Sequence, residues 1–495
     1  MRILITVFSL IGVASFSWSQ QYFYKLYSGN GFDQGEDIIE TSDSAYMVTG
    51  SSGSWGGNSQ AFLMKIDTMG NYLWSQAYGG AESEEAVTVI ERPGNGYYLA
   101  GMSNSQSQGN FDAMLIKTDL NGNQEWIKTY ANPAWDRITD AVMTKDTGMV
   151  MIGYRQVLMG AESDMLFIRV NKDGDTLWTK TIGTMGDDQA TSITRFQDSL
   201  YLIVGDMFVP DSNLVKGCLI TLNDQGNILS QLMIGNKSGT YHLSDIELGE
   251  DKIYTVGNRK VNDQNHDNYM RITDGNGVLQ SEYTEADGST SSISDSKFEQ
   301  AVFMPSPTYM LSICFQYRNL TNSLFSYDLN NGLYDAANAY WMGLPTTVII
   351  NEGLDKCNEM IATRDGGFIS VGCNSTVNDG QNVLNGGANI YILKYHPSHS
   401  QPLLTDTVFT LNQLVETIEL NETFVELTMY PNPATNELHV SLSEQVSGDY
   451  TVSDLMGKQL LKGELASQFT VETATWNAGI YFLNIGQHSF KFVKQ

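Results

Sequence analysis

The sequence predicts an all-β chain: a seven-bladed β-propeller closed by its own N-terminal strand, followed by a small immunoglobulin-like β-sandwich. Three observations carry this expectation. Trp74, Trp126 and Trp178 recur at intervals of 52 residues. A β-rich run ending in glycine recurs at 46–50, 97–101, 149–153, 201–205, 253–257 and 368–372, with a degenerate copy at 310–314. Apolar runs are short throughout a composition of 46 Gly, 25 Tyr and 20 Phe, which suits many brief strands and turns.

Within one copy the apolar runs number four, at 86–90, 96–101, 113–118 and 125–130, separated by Gly, Asn, Asp and Ser. Four short strands in a repeat of about 40 to 50 residues is a propeller blade. The turns Asp67-Thr-Met-Gly70, Asp119-Leu-Asn-Gly122 and Asn171-Lys-Asp-Gly174 place an Asx residue first and glycine where φ must be positive. A tryptophan follows four residues later and is read as blade-to-blade packing. These turns resemble the Asp-box of sialidases and the tryptophan-docking repeat of quinoprotein propellers, and match neither in spacing. The seventh copy has three strands, the last at 389–395, while residues 22–27 stand in the phase of a fourth. Supplying that strand from the front of the chain leaves no blade with a bare edge.

Residues 1–19 read as a signal peptide: Arg2, an apolar stretch at 3–16, then Ser17-Trp-Ser19. No later segment reaches the roughly 20 apolar residues that span a bilayer, so no transmembrane segment is expected. The 56 acidic against 28 basic residues give a net charge of −28, which repels nucleic acid. Cys357 and Cys373 flank a hairpin turn at Arg364-Asp-Gly366, placed either for a cross-strand disulfide or for a pair of buried thiols.

The domain plan is therefore a signal peptide at 1–19, a propeller at 20–395, a linker at 396–426 and a second domain at 427–495. In that last segment Tyr430-Pro431-Asn432-Pro433 is followed by strand-like alternation at 437–443, by Met456-Gly457-Lys458, by Gly479-Ile-Tyr481-Phe and by Lys491-Phe-Val-Lys494. The segment resembles the type A C-terminal sorting domain of type IX secretion cargo, over its whole length and in order. The resemblance implies passage through the periplasm, recognition by the type IX machinery, and release or attachment at the outer-membrane surface.

An acid column precedes the first strand of the repeats: Asp33, Glu84, Asp136, Asp188 and Asp355, with Thr240 and Lys297 in the divergent copies. Clustered at a channel mouth such carboxylates suit calcium or a basic ligand; tied into their own loops they tack neighbouring blades together. Trp55 and Trp135 fall in loops of the same face, where aromatics stack on sugars or anchor a protein. Asp263-x-Asn265-x-Asp267 has the 1, 3, 5 spacing of a calcium loop, but Asn268 stands where glycine is expected. No cofactor is called for; calcium is the one candidate. Metalloprotease, nucleophile-elbow and phosphate-loop motifs are absent. The expectation is a secreted, non-catalytic module that binds an extracellular protein or glycan. The alternative is an extracellular glycosidase or lyase that uses paired acids.

Overall fold

A computed structural model describes residues 23–29, 31–54, 58–105, 111–130, 133–156, 162–249, 251–262, 265–275, 277–285, 296–304, 310–319, 326–335, 340–346, 353–376, 388–395, 407–410, 427–430, 434–442, 449–454, 458–464, 466–477, 479–485 and 488–494. The chain divides into two parts, Met1–Leu414 and Val415–Gln495. The expected signal peptide lies outside the described residues. Among those described, no helix is long and apolar enough to cross a membrane.

The first part is a β-propeller. Repeats 1 to 5 each form one four-stranded antiparallel sheet; in repeat 2 the strands are Glu84–Arg92, Gly96–Ser103, Asp112–Thr118 and Gln124–Thr129. The second strand is buried along its whole length, because its two faces pack against different neighbours. Leu99 faces Met47 and Leu63 of repeat 1, whereas Tyr98 and Ala100 face Met149 and Met151 of repeat 3. Burial on both faces explains why such strands read as unbroken apolar runs.

The propeller has six blades, not the seven expected. Repeats 6 and 7 fuse into one nine-stranded sheet that runs Ser296–Met304, Met310–Asn319, Ser326–Asp335, Gly353–Ala362, Phe368–Thr376, Asn389–Tyr395, Phe23–Ser28 and Thr407–Thr410, with Tyr340–Thr346 branching from Ser326–Asp335. The branch pairs with only the 331–335 end of its partner. The other end of that edge takes up the next first strand through a parallel bridge from Tyr327 to Leu354, as bare strand edges do.

The N-terminal clasp is formed. Phe23–Ser28 runs antiparallel to Asn389–Tyr395, with Phe23 opposite Lys394 and Tyr27 opposite Ile390. Tyr27 donates its hydroxyl to the Gly70 carbonyl at 2.6 Å, in the manner of Tyr78 on Gly122 at 2.6 Å and Tyr130 on Gly174 at 3.0 Å. The front strand thus docks on repeat 1 as the outer strands of repeats 1 and 2 dock on their successors. Thr407–Thr410, from the expected linker, adds in parallel outside it.

One distortion recurs in every first strand. A β-bulge shifts the register between Gly35 and Asp37, Ala86 and Thr88, Ile138 and Asp140, Ala190 and Ser192, Leu243 and Asp245, Phe298 and Gln300, and Cys357 and Glu359. It pushes a carbonyl toward the second strand, where a Cβ on Gly101 would lie 1.9 Å from the Glu85 oxygen and one on Gly153 would lie 1.9 Å from that of Arg137. The glycine landmark of the sequence is the footprint of this bulge.

The second part holds a three-stranded sheet of Leu427–Tyr430, Glu437–Leu442 and Gln468–Glu472 and a four-stranded sheet of Gln459–Glu464, Asp449–Asp454, Gly479–Ile485 and His488–Lys494. Leu438, Val440 and Val471 of the first share one core with Tyr450, Val452, Tyr481 and Leu483 of the second.

Candidate functional site

The acid column closes on itself. Asp33, Glu84, Asp136 and Asp188 are fully buried, and each accepts hydrogen bonds from its own surroundings. Asp33 receives the Gly29 amide at 2.9 Å and the Ser54 hydroxyl at 2.7 Å, and also the Ser52 hydroxyl. Glu84 receives the Gly80 amide at 2.9 Å and the Ser103 hydroxyl at 2.8 Å. Arg155 grips both oxygens of Asp136 through Nε and Nη2 at 2.7 Å each. Asp188 takes the Phe208 amide at 2.7 Å and that of Thr184. Burial raises the pKa of Asp33 and Asp188, and no described carboxylate of the column is left over for a ligand. The Asp355 side chain lies outside the described residues. Counting from the bulge, the divergent copies place Tyr241 and Ser296 in this column, not Thr240 and Lys297.

A second set of acids, not anticipated from the sequence, lines the channel just past the bulge: Asp37, Asp140, Asp245 and Glu359, with Thr88, Ser192 and Gln300 in the other repeats. Each aspartate stitches its strand to the next repeat. Asp37 accepts from the Val89 amide at 2.7 Å and the Thr88 hydroxyl at 2.8 Å, Asp140 from the Ile193 amide at 2.9 Å, and Asp245 from the Ala301 amide at 2.9 Å and the Ser192 hydroxyl at 2.8 Å. The bulge residue itself adds a stitch, from Thr139 to the Ala190 carbonyl, from Thr191 to that of Leu243, and from Asn358 to that of Gly35, each at 2.8 Å.

Burial dominates the electrostatics of this ring. It pushes Asp37 up to about 6, Asp140 up to about 8 with Asp37 and Asp245 adding to the effect, and Glu247 up to about 8 beside Asp245. Glu36 rises to about 8 through burial and the nearby Glu85, and Glu359 rises well above the carboxylate range. Several of these groups hold protons at neutral pH, so the ring behaves as hydrogen-bonding groups more than as fixed negative charge. Arg137 and Lys356 complete the lining, with Arg137 3.2 Å from Glu85. The cavity they line, open to solvent, measures about 200 Å³, below the roughly 300–1,000 Å³ of ligand pockets. Among the described residues no three or more His, Cys, Asp or Glu are grouped to hold a metal ion. At the far end of repeats 2 and 3 a second concavity of about 310 Å³ is bordered by Arg92, Tyr98, Lys117 and Lys172; Glu125 pairs with Lys117 at 3.0 Å and Asp173 with Lys172 at 2.8 Å.

The remaining candidates sort as follows. Trp135 is half-buried and stacks on Phe111 with centroids 6.1 Å apart; Trp55 and Asp263 lie outside the described residues. Asn265 and Asp267 begin the inner strand Asn265–Asp274, and Asp267 pairs with Arg259 at 2.5 Å. Of the two expectations for Cys357 and Cys373, the structure has the thiols. Cys357 faces Gly372 and Cys373 faces Lys356, one residue out of step, so the sulfurs leave opposite faces and no bridge forms. In the tail, Pro431, Asn432, Pro433 and Gly457 lie outside the described residues, and Lys458 is exposed. Gly479 pairs with Lys494; Lys494 is buried and bridges Ala434. Tyr481 donates to the Asn477 carbonyl at 2.7 Å.

The solved structures similar to this chain include the Neurospora crassa Pan2 WD40 domain, at 10% identity and TM-score 0.42, covering 75% of this chain and 91% of that one. Another is the β-propeller domain of the Trilobed protease from Pyrococcus furiosus, at 9% identity and TM-score 0.40, covering 78% and 99%. A third is puromycin hydrolase, at 10% identity and TM-score 0.39, covering 71% and 51%. No curated protein sequence matches the chain. Residues 428–495 match the family described as secretion system C-terminal sorting domain. This match coincides with the two-sheet second part and with the motifs at 430–433, 456–458, 479–482 and 491–494; the C-terminal part is a type IX sorting domain, and the chain is cargo delivered to the cell surface or the extracellular space.

Proposed function

We propose that the mature protein is a non-catalytic binding module that meets an extracellular protein or glycan through loops of the propeller. The supporting observation is the use to which the channel acids are put. Asp37, Asp140 and Asp245 are committed to backbone amides of the next repeat, and the space between them is smaller than substrate pockets usually are. The reading includes a signal peptide at 1–19, a propeller at 20–395, a linker at 396–426, and an immunoglobulin-like sandwich at 427–495 that is read by the translocon. It requires no cofactor, with calcium as the one addition a chelator control would test. The purified mature chain, screened on a glycan array and against surface proteins, is expected to retain a partner and to leave every glycan substrate intact.

The second reading, an extracellular glycosidase or lyase, draws on the elevated pKa of Glu36 and Asp140, each about 8, a range suited to general acids. Turnover of any glycan that Asp140→Asn abolishes while the fold is retained would replace the first reading with this one.

A further inference from the structure

The repeat symmetry fails at one described junction, between repeats 4 and 5. At the three preceding junctions a tryptophan of the outer strand covers the glycine turn of the next repeat: a Cβ on Gly122 would meet Trp74 at 2.6 Å, one on Gly174 would meet Trp126 at 2.6 Å, and one on Gly226 would meet Trp178 at 3.0 Å. Lys128 and Lys180, two residues beyond their tryptophans, donate to carbonyls of those turns. The outer strand of repeat 4, Ile228–Ile234, has Ser230 at the tryptophan position and Leu232 at the lysine position. Nothing lies within 4 Å of a Cβ on Gly277, in the facing turn of repeat 5. Ile228, Leu229, Leu232, Met233, Val278 and Leu279 are all exposed along this edge.

We infer that this edge is an interface with a second copy of the chain, the two Ile228–Ile234 strands pairing antiparallel about a two-fold axis at Gln231. The strand is the last of its sheet and has no described partner on its outer side, so a row of backbone donors and acceptors is open there. Its sequence, Ile-Leu-Ser-Gln-Leu-Met-Ile, is nearly symmetric in hydropathy. Antiparallel self-pairing sets Ile228 against Ile234 and Leu229 against Met233. Charge selects the same edge. Two copies each at −28 repel, and the outer strand of repeat 5 would bring Glu282 against its own copy, whereas Ile228–Ile234 carries no charge. Tyr72–Tyr78 is also uncharged, but its Trp74 and Tyr78 are engaged on the Gly122 turn. The chain already completes an outer edge by strand addition where Thr407–Thr410 joins Phe23–Ser28.

Sedimentation equilibrium of the mature chain, from about 5 to 200 µM, the range in which a weak dimer dissociates, is expected to show a monomer–dimer equilibrium that tightens with added salt as the repulsion is screened. Leu232→Lys and Ser230→Trp restore residues that other repeats carry at these positions and should fold. Leu232→Lys is expected to raise the dissociation constant at least about tenfold, and Leu73→Lys on the outer strand of repeat 1 to leave it unchanged. A wild-type monomer across the whole range overturns the inference. So does a dimer indifferent to Leu232→Lys, or one broken by Leu73→Lys instead.

Discussion

Replacing Asp140 by asparagine tests whether the channel ring is a set of uncharged stitches. The side chain accepts from the amides of Ile193 at 2.9 Å and Ala141 at 2.7 Å, and asparagine retains one acceptor oxygen in the same shape. Burial, aided by Asp37 and Asp245, lifts its folded-state pKa to about 8 from an ordinary value of 3.8. Between these values the folded chain holds a proton that the unfolded chain has lost, so this group's contribution to stability falls as pH rises, by about 1.4 kcal/mol per pH unit. From pH 5.5 to 7.5 that amounts to about 3 kcal/mol, a ceiling, because water in the channel screens a side chain that is only half-buried. For a cooperative part the size of Met1–Leu414, at about 2 cal/mol/K per residue, 3 kcal/mol corresponds to roughly 3–4 °C in Tm. Scanning calorimetry of wild type and Asp140→Asn at both pH values should therefore show a Tm gap that moves in favour of the variant by up to this amount on going to pH 7.5. A variant whose Tm deficit is the same at both pH values, or larger at pH 7.5, would refute the reasoning, since the carboxylate would then be ionised and useful in the folded state.

Further outcomes follow from the same geometry. Tyr27→Phe removes one buried hydrogen bond to Gly70 and should cost about 1–2 kcal/mol by urea unfolding, close to the cost of Tyr78→Phe, because the two make the same contact. Arg155→Ala leaves Asp136 buried without its ion pair and should cost about 3–5 kcal/mol, with the double variant Asp136→Ala/Arg155→Ala losing less than the sum of the singles. Reductant should leave the propeller Tm unchanged, because Cys357 and Cys373 are not bridged; a fall in Tm would put a disulfide back in question.

The legible features were those in which backbone geometry restricts residue type. Positive φ at Gly70, Gly122 and Gly174, near +75° in each, calls for glycine after an Asx side chain that caps the turn, as Asp119 does for the amides of Asn121 and Asn123 at 2.8 Å. That requirement repeated often enough to set the period. The clasp was legible because Tyr27 keeps the phase of Tyr78. Repeats 4 and 5 lack the tryptophan and still form their own sheets, and nothing in a list of strands reveals that the partly covered edge of Ser326–Asp335 takes up the next repeat, so the expected count of seven is one too high.

The channel ring and the unbridged thiols at Cys357 and Cys373 have one shared cause. Without a bulge, a hairpin centred on Asp365 would set Cys357 opposite Cys373, as it does set Ile361 opposite Ile369 and Met360 opposite Ser370. The extra residue at Asn358 moves Cys357 onto Gly372. The same insertion reverses the inside–outside alternation of every first strand midway, so a buried acid stands where regular pleating would put an apolar side chain. The signal was present as an acid followed directly by apolar residues at one phase of the repeat: Asp37-Ile-Ile39, Asp140-Ala-Val142, Asp245-Ile246 and Glu359-Met-Ile361. Since the bulge carbonyl also crowds the glycines at 50, 101, 153, 205, 257 and 372, though repeat 6 carries the bulge opposite Phe315 and Cys314, the glycine and the acid both follow from a single backbone kink. Substituting either should disturb the other: Gly153→Ala is expected to relax the bulge at Thr139 and loosen the bonds from Thr139 to Ala190 and from Ile193 to Asp140, which amide exchange at Ile193 would register.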